Sequence, residues 1–365
     1  MDVTKPVKLT PGRAWRTYIG GSQIDRIHGI EGGADTQFPE EWIMSTTAAR
    51  NAGREDYPDE GMCFLDHEDS DGRKISLPDY ISNDPERILG KDHFEKYGCT
   101  TGVLVKIIDA GERLTIQAHP SKEKARELFH SDYGKTECWY IIGGREINGE
   151  KPCIYMGFKE GITRQAWKEC FDTQNIPQML GWLNMFEVKP GETYLIHGGV
   201  AHAIGAGCLL VEIQEPTDYS IRTERVTPNG LKVADFMCHQ GLGFDKMFDV
   251  FDYTGRTAKQ AHDAWCIPPR VLAEDSHFSV TEVIGYRQTE CFRMEKIEIE
   301  DRGEFHVDGI FSGLYCLSGR GELDCGGIKR DVASGDQFFI PASCGDFSIE
   351  ALQKMVLFRC YGPKV

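Results

Sequence analysis

A small set of residues in this chain has the types and spacing to hold a metal ion. Gln117-Ala-His119 closes the alternating run RLTIQAH. Side chains at i and i+2 of a strand share a face, so Gln117 and His119 can reach one ion together. Glu137 opens a second apolar run, ECWYII, and His202 ends the turn after a third, ETYLIH. Two imidazoles, a carboxylate and an amide oxygen form a borderline-hard donor set. It suits Zn²⁺, and Mn²⁺, Co²⁺ or Fe²⁺ are compatible with the same donors. The set contains no thiolate, which argues against a closed structural zinc site. Spacing alone is a modest signal, because two distant histidines are more often surface or core residues. Lys106 adds a second oddity: it interrupts Val103-Leu104-Val105 and Ile107-Ile108, and a buried ammonium is costly unless paired or facing a polar cavity.

These residues need strands to position them, and the chain is rich in short ones. GVLVKIIDA (102–110), RLTIQAH (113–119), ECWYII (137–142), ETYLIH (192–197) and LLVEIQ (209–214) alternate and are punctuated by glycine and proline, 40 and 16 in all. Such spacing predicts a mainly β barrel or sandwich rather than a doubly wound parallel sheet. Helices are predicted over SKEKARELF (121–129) and TRQAWKECFDTQNIPQMLGWL (163–183). Strands resume after about residue 270, and the mixed stretch 235–256 with AKQAHDAW reads as the linker between two β-rich halves.

Length and composition bound the rest. At 365 residues with 40% hydrophobic and 27% charged, the chain is long enough for two domains with real cores. Its 41 basic against 57 acidic residues give −16, which disfavours nucleic acid and anionic membranes but allows a local basic cleft for a small phosphorylated substrate. No apolar run reaches membrane-spanning length and MDVTKPVKLTPGRAW has no signal-peptide core, so a cytoplasmic location is expected. The 13 cysteines are scattered without a CxxC pair, the pattern of buried reduced thiols. DHEDSDG (66–72) lacks the remaining positions of a calcium loop, and no nucleotide-binding glycine motif occurs.

The halves share a faint repeat. Gly191-Glu-Thr-Tyr-Leu-Ile-His197-Gly-Gly-Val-Ala-His202 and Gly335-Asp-Gln-Phe-Phe-Ile-Pro341-Ala-Ser-Cys-Gly-Asp346 have the same spacing. Both resemble the second cupin motif, in which a Gly-led strand and a turn aim a histidine into a barrel. In the second copy the metal position is Asp346. The pair implies a bicupin, with one working jelly-roll barrel in a catalytic domain over 1–265 and a degenerate barrel over 266–365.

More specifically, LVKIIDAGERLTIQAHPSKEKA, YGKTECWYIIGG and PGETYLIHGGVAHAIGAGCLLVEIQEPTD, in that order, closely resemble class I mannose-6-phosphate isomerases, also called phosphomannose isomerases. The resemblance runs over roughly residues 10–222 and more loosely over the C-terminal cupin. It implies a zinc site on Gln117, His119, Glu137 and His202. The family's catalytic arginine falls on Arg222, within EIQEPTDYSIR. Lys135 and Lys106 match lysines lining the pocket, and Trp15, with Glu41 and Trp42 in PEEWIMS, matches N-terminal residues near the same cavity. Ser121 and Lys122, opening a predicted helix, could add N–H donors and a cation for phosphate. Two segments depart from the pattern: the usual Trp-Gly-Gly is opened into Trp15-Arg-Thr-Tyr-Ile-Gly-Gly21, and Arg222 is followed by Thr-Glu-Arg225 instead of an aromatic-acidic run.

The activity implied is reversible conversion of mannose 6-phosphate to fructose 6-phosphate through an enediol, with a zinc-bound water, Lys135 or Glu41 as the base. Alternatives are an isomerase or epimerase acting on another sugar, unphosphorylated or differently configured, and a non-catalytic sugar-binding bicupin. A monomer and a weak homodimer read alike. His197 reads as either a turn residue or a partner near the metal set. His67 and His93 lie in polar stretches expected to be exposed, and Cys138 should point away from Glu137 into the core.

Overall fold

A computed structural model describes residues 2–365. The fold is mainly β, a bicupin built from stacked sheets. In the first half a six-stranded sheet contains Glu40–Ile43, Leu104–Asp109, Glu137–Gly144, Thr193–Ile196 and Cys208–Gln214. A five-stranded sheet contains Gln117–Ala118, Cys153–Phe158, Leu183–Glu187, His202–Ile204 and Ile221–Arg222. The facing sides meet in a core of Ile108, Trp139, Ile141 and Leu210 from the first sheet with Ile154, Met156 and Ile204 from the second.

Strand alternation gives each residue its layer. Val105, Ile107, Cys138, Tyr140, Val211 and Ile213 point out of the back of the six-stranded sheet. There they pack with Phe292, Met294, Tyr315, Phe339 and Phe358 of the C-terminal half. Cys138 is therefore core, as alternation requires. The back of the five-stranded sheet is covered by helices Arg164–Asp172 and Ile176–Gly181, with Phe158, Trp167 and Phe171 against Met247 and Phe248. One long helix was expected over 163–183; instead the chain turns at Gln174, whose φ is 50°, and restarts with proline in the first turn of the second helix.

The stretch expected to be a linker is part of this packing. It contains helix Asp235–His239, helix Gly243–Lys246 and the short turn Met247–Val250, and its apolar side chains close the five-stranded sheet. The C-terminal sheet is built on long strands, Ser312–Cys325 and Phe347–Tyr361, and its interior is filled by Leu314, Phe338, Ile349, Leu357 and their neighbours. Asp346, at the second copy's metal position, is instead exposed and bonded to His306 at 2.8 Å. Hydrogen bonding crosses the expected division at 265/266: strand Val7–Leu9 pairs antiparallel with Gln337–Ile340. All cysteines are free thiols, and among the described residues no helix is long and apolar enough to cross a membrane.

Candidate functional site

The two sheets deliver the donors from opposite walls. On the five-stranded sheet His202 lies directly across from Gln117, and Arg222 flanks Gln117 on the other side, so the order across this wall is His202, Gln117, Arg222. His119 follows one residue past the Gln117–Ala118 strand, and Glu137 comes from the six-stranded sheet. Ligand atoms of His119, Glu137 and His202 all lie within 4.8 Å of one another, and the three side chains are buried.

Each imidazole is locked in one tautomer. His119 donates from Nδ1 to the Tyr219 carbonyl at 2.8 Å, and His202 from Nδ1 to the Val200 carbonyl at 2.9 Å. Both Nε2 lone pairs therefore point into the site, the arrangement metal-ligating histidines use. Burial first, then the Lys135 charge, holds His119 down to about 3, and burial likewise lowers His202. Both rings are neutral near pH 7, as ligation requires. Burial opposes ionisation of Glu137, but Lys135 and the imidazoles outweigh it and keep its carboxyl well below the usual range.

The decisive feature is a pair of acceptors with nothing to accept. His202 Nε2 and Glu137 Oε1 face each other at 3.3 Å, and neither has a hydrogen-bond partner. Two buried lone pairs pointed together are unfavourable unless a cation lies against both. On the other side, His119 Nε2 and Glu137 Oε2 already share a cation, the Lys135 ammonium, at 2.8 and 2.7 Å. This N/O donor set fits a divalent metal.

The adjoining cavity is lined by ionisable groups. Lys106 bonds Glu212 at 2.9 Å and Gln214 at 2.7 Å. Glu212 also accepts from Trp139 Nε1 at 3.0 Å, and burial raises its carboxyl above the usual range although Lys106 pulls the other way. Glu40 accepts from the Tyr18 hydroxyl and Trp42 Nε1, both at 2.7 Å, and from Arg16 at 3.1 Å. Arg16 continues to Asp218 with two bonds, at 3.0 and 3.1 Å. Arg222 is buried, and its Nη1 donates to the carbonyls of Ser220 and Met237 at 3.2 and 3.0 Å.

Comparison with known proteins agrees with this geometry. Residues 282–361 match the family model described as mannose-6-phosphate isomerase, cupin domain. A mannose-6-phosphate isomerase of Streptococcus mutans is 30% identical over 268 residues, covering 69% of this chain and 73% of that protein. The chain belongs to the mannose-6-phosphate isomerase family. A probable mannose-6-phosphate isomerase of Bacillus subtilis is 29% identical over 271 residues, covering 71% of this chain and 76% of the relative. The crystal structure of the mannose 6-phosphate isomerase from Bacillus subtilis has the same fold, with a TM-score of 0.73 at 21% identity over 98% of this chain and 99% of that one. So does a structure titled mannose 6-phosphate isomerase, holo and zinc bound, at a TM-score of 0.72 and 14% identity over 99% and 100% of the two chains.

Of the residues singled out in the sequence, His119, Glu137 and His202 converge, and Gln117, Lys106, Lys135 and Arg222 line the adjoining cavity. Others do not join this family member's site. Glu41 points out of the back of the sheet, where its carboxylate meets His28 at 2.5 Å near Tyr315; alternation turns Glu40, not Glu41, into the cavity. Trp15 bonds Gln37 and stacks under Arg54, while Arg16 and Tyr18 line the cavity instead. Ser121 is spent capping helix Lys122–Phe129, and Lys122 pairs with Glu215 at 3.5 Å. His197 is exposed, and so is His67. His93 is buried, contrary to expectation, bonded to the Thr100 carbonyl at 2.7 Å.

Glu212 lines the same cavity and was not singled out in the sequence. It breaks an apolar strand as Lys106 does, and the two sit opposite each other in register. The argument that singled out Lys106 applies to it unchanged.

Proposed function

We propose that this chain is a zinc-dependent mannose-6-phosphate isomerase whose metal is held by Gln117, His119, Glu137 and His202. The observation that carries the reading is the unpartnered pair His202 Nε2 and Glu137 Oε1, beside a cavity with cations and a carboxylate of raised pKa, in a member of this family. When bound, zinc supplies a Lewis acid that polarises a sugar oxygen.

The chain's own residues then handle charge and protons. Glu212 removes the proton from C2 of the open-chain aldose while the C1 oxygen gains one from Lys135, giving the cis-enediol. Lys135 then recovers a proton from the C2 oxygen as Glu212 delivers its own to C1, and the ketose results. Arg222, free of any carboxylate partner, stabilises the negative charge that develops on the oxygens. Thirteen free thiols suit a reducing compartment and support a cytoplasmic location.

A coupled assay on mannose 6-phosphate and free mannose tests the substrate. Turnover of mannose 6-phosphate with little on mannose supports the reading, and the reverse preference would move it to an unphosphorylated sugar. Arg222→Ala is expected to lower kcat about 10²–10³-fold with zinc content unchanged; wild-type turnover in that variant would remove Arg222 from the mechanism.

A further inference from the structure

Two walls of the cavity come from segments outside the regular strands. Arg16, Thr17 and Tyr18 line it from the N-terminal stretch, and Thr227 and Pro228 line it from a turn shortly after Arg222. These are the two places where the sequence departs from the family pattern. The turn is closed on itself: Thr227 N–H donates to the Leu231 carbonyl at 2.9 Å, Gly230 N–H to the Thr227 carbonyl at 2.8 Å, and Val226 bridges Lys232. Its outer side is open to solvent, with Val226, Pro228, Asn229 and Gly230 exposed.

Glu112 joins the two walls. One carboxylate oxygen, Oε1, accepts from the Ile19 N–H at 2.9 Å and from Asn229 Nδ2 at 2.7 Å. Asn229 Oδ1 takes the Leu231 N–H at 3.0 Å, which fixes its Nδ2 toward Glu112. The neighbouring Gly111 N–H donates to the Ile19 carbonyl at 2.9 Å, so the residue after Tyr18 is gripped by both its N–H and its C=O. Among the described residues, the Asn229–Glu112 bond is the one hydrogen bond that ties residues 226–232 to another segment. Arg113, next in the chain, takes Glu224 with bonds of 2.6 and 2.8 Å. The same turn therefore also fixes the chain two residues past Arg222. Glu112 is buried and is not part of the cavity lining, so it acts through the walls and not on the sugar.

We propose that Glu112 is a positioning residue for substrate binding: it buckles the N-terminal segment to the turn at Asn229 and sets the spacing of the two walls around the sugar. This rests on the isomerase reading above and deepens it. Thr17, Tyr18, Thr227 and Pro228 take no part in the proton transfers, so loosening them costs binding and spares the chemical step.

The test is steady-state kinetics on the zinc-loaded enzyme with Glu112→Ala, Glu112→Gln, Asn229→Ala and the double variant Glu112→Ala/Asn229→Ala, each checked for zinc content and melting temperature. Glu112→Ala should raise KM for mannose 6-phosphate about tenfold and leave kcat within about twofold, the scale of one lost hydrogen bond to a carboxylate. Glu112→Gln should stay close to wild type, because its amide oxygen can serve both donors that Oε1 serves. Asn229 is exposed, so Asn229→Ala should fold normally and reproduce most of the rise. The double variant should be no worse than Glu112→Ala, because both changes open the same buckle. Unchanged KM in Glu112→Ala and Asn229→Ala would overturn the proposal. Additive effects in the double variant, or a Glu112→Gln as impaired as Glu112→Ala, would overturn it as well. A wild-type enzyme inert toward mannose 6-phosphate would instead sink the isomerase reading, and this inference with it.

Discussion

Glu212→Gln should lower kcat by about three orders of magnitude while KM for mannose 6-phosphate and zinc content stay near wild type. Gln keeps the shape, and its one amide oxygen can still accept from one of Lys106 and Trp139, the two donors the carboxylate meets at 2.9 and 3.0 Å. It cannot accept a proton from carbon. The residue is suited to that task because burial lifts its carboxyl above the ordinary range, bringing its basicity closer to neutral pH than a solvated glutamate's. Lys106 retains Gln214 at 2.7 Å and Glu40 at 3.9 Å, so the variant should remain folded. Single-turnover kinetics, a thermal melt and metal analysis of the same sample separate the effects. A variant with wild-type kcat would hand the carbon proton to another group.

His202→Ala should abolish both stoichiometric zinc and detectable turnover. The ring is fully buried, tautomer-locked by the Val200 carbonyl, and aimed at Glu137 Oε1. Without metal, its removal deletes one of two opposed acceptors, so the apo variant is not expected to be much less stable than apo wild type. The contrast appears on adding zinc. A ligand at 100 times its Kd stabilises the native state by about 2.7 kcal/mol, so wild type should melt higher with zinc while His202→Ala stays put. An equal zinc-induced shift in the variant would show that the ion binds elsewhere.

The candidate ligand set came chiefly from the family resemblance, and strand periodicity lent it modest support: Gln117 and His119 are two apart, and Glu137 heads a strand whose odd positions, Trp139 and Ile141, face the same core. The same rule, applied to PEEW, points to Glu40. Trp42 pairs in register with Lys106, so the cavity face carries positions 40 and 42, and Glu41 is thrown to the back, where His28 takes it. The match of Glu41 to the family pattern overrode that periodicity. Ser121 was read as a phosphate donor although a serine three residues before a helical N–H is first a cap, and it bonds Lys124 N at 3.2 Å.

What alternation could not supply was the opened N-terminal segment. Its course depends on close backbone approach: a Cβ at Gly20 would lie 1.8 Å from the Asp109 carbonyl oxygen. Asp109 then draws in the Gly21 and Gln23 N–H groups at 3.0 and 2.8 Å. That seat presents Arg16 and Tyr18 to the cavity, a tertiary outcome no local pattern encodes. The segment 235–256 was taken for a linker because its apolar residues lack a clean period, and only the back of the five-stranded sheet explains them.

The central claim is that one buried metal centre carries the isomerisation, and metal removal and reconstitution of the purified protein tests it most directly. Fructose 6-phosphate formed from mannose 6-phosphate is followed by a coupled assay, with zinc quantified at each stage. The account predicts turnover that disappears on chelation, returns with one equivalent of Zn²⁺ per chain, and is not restored in His202→Ala. Turnover that persists in fully metal-free protein would contradict it.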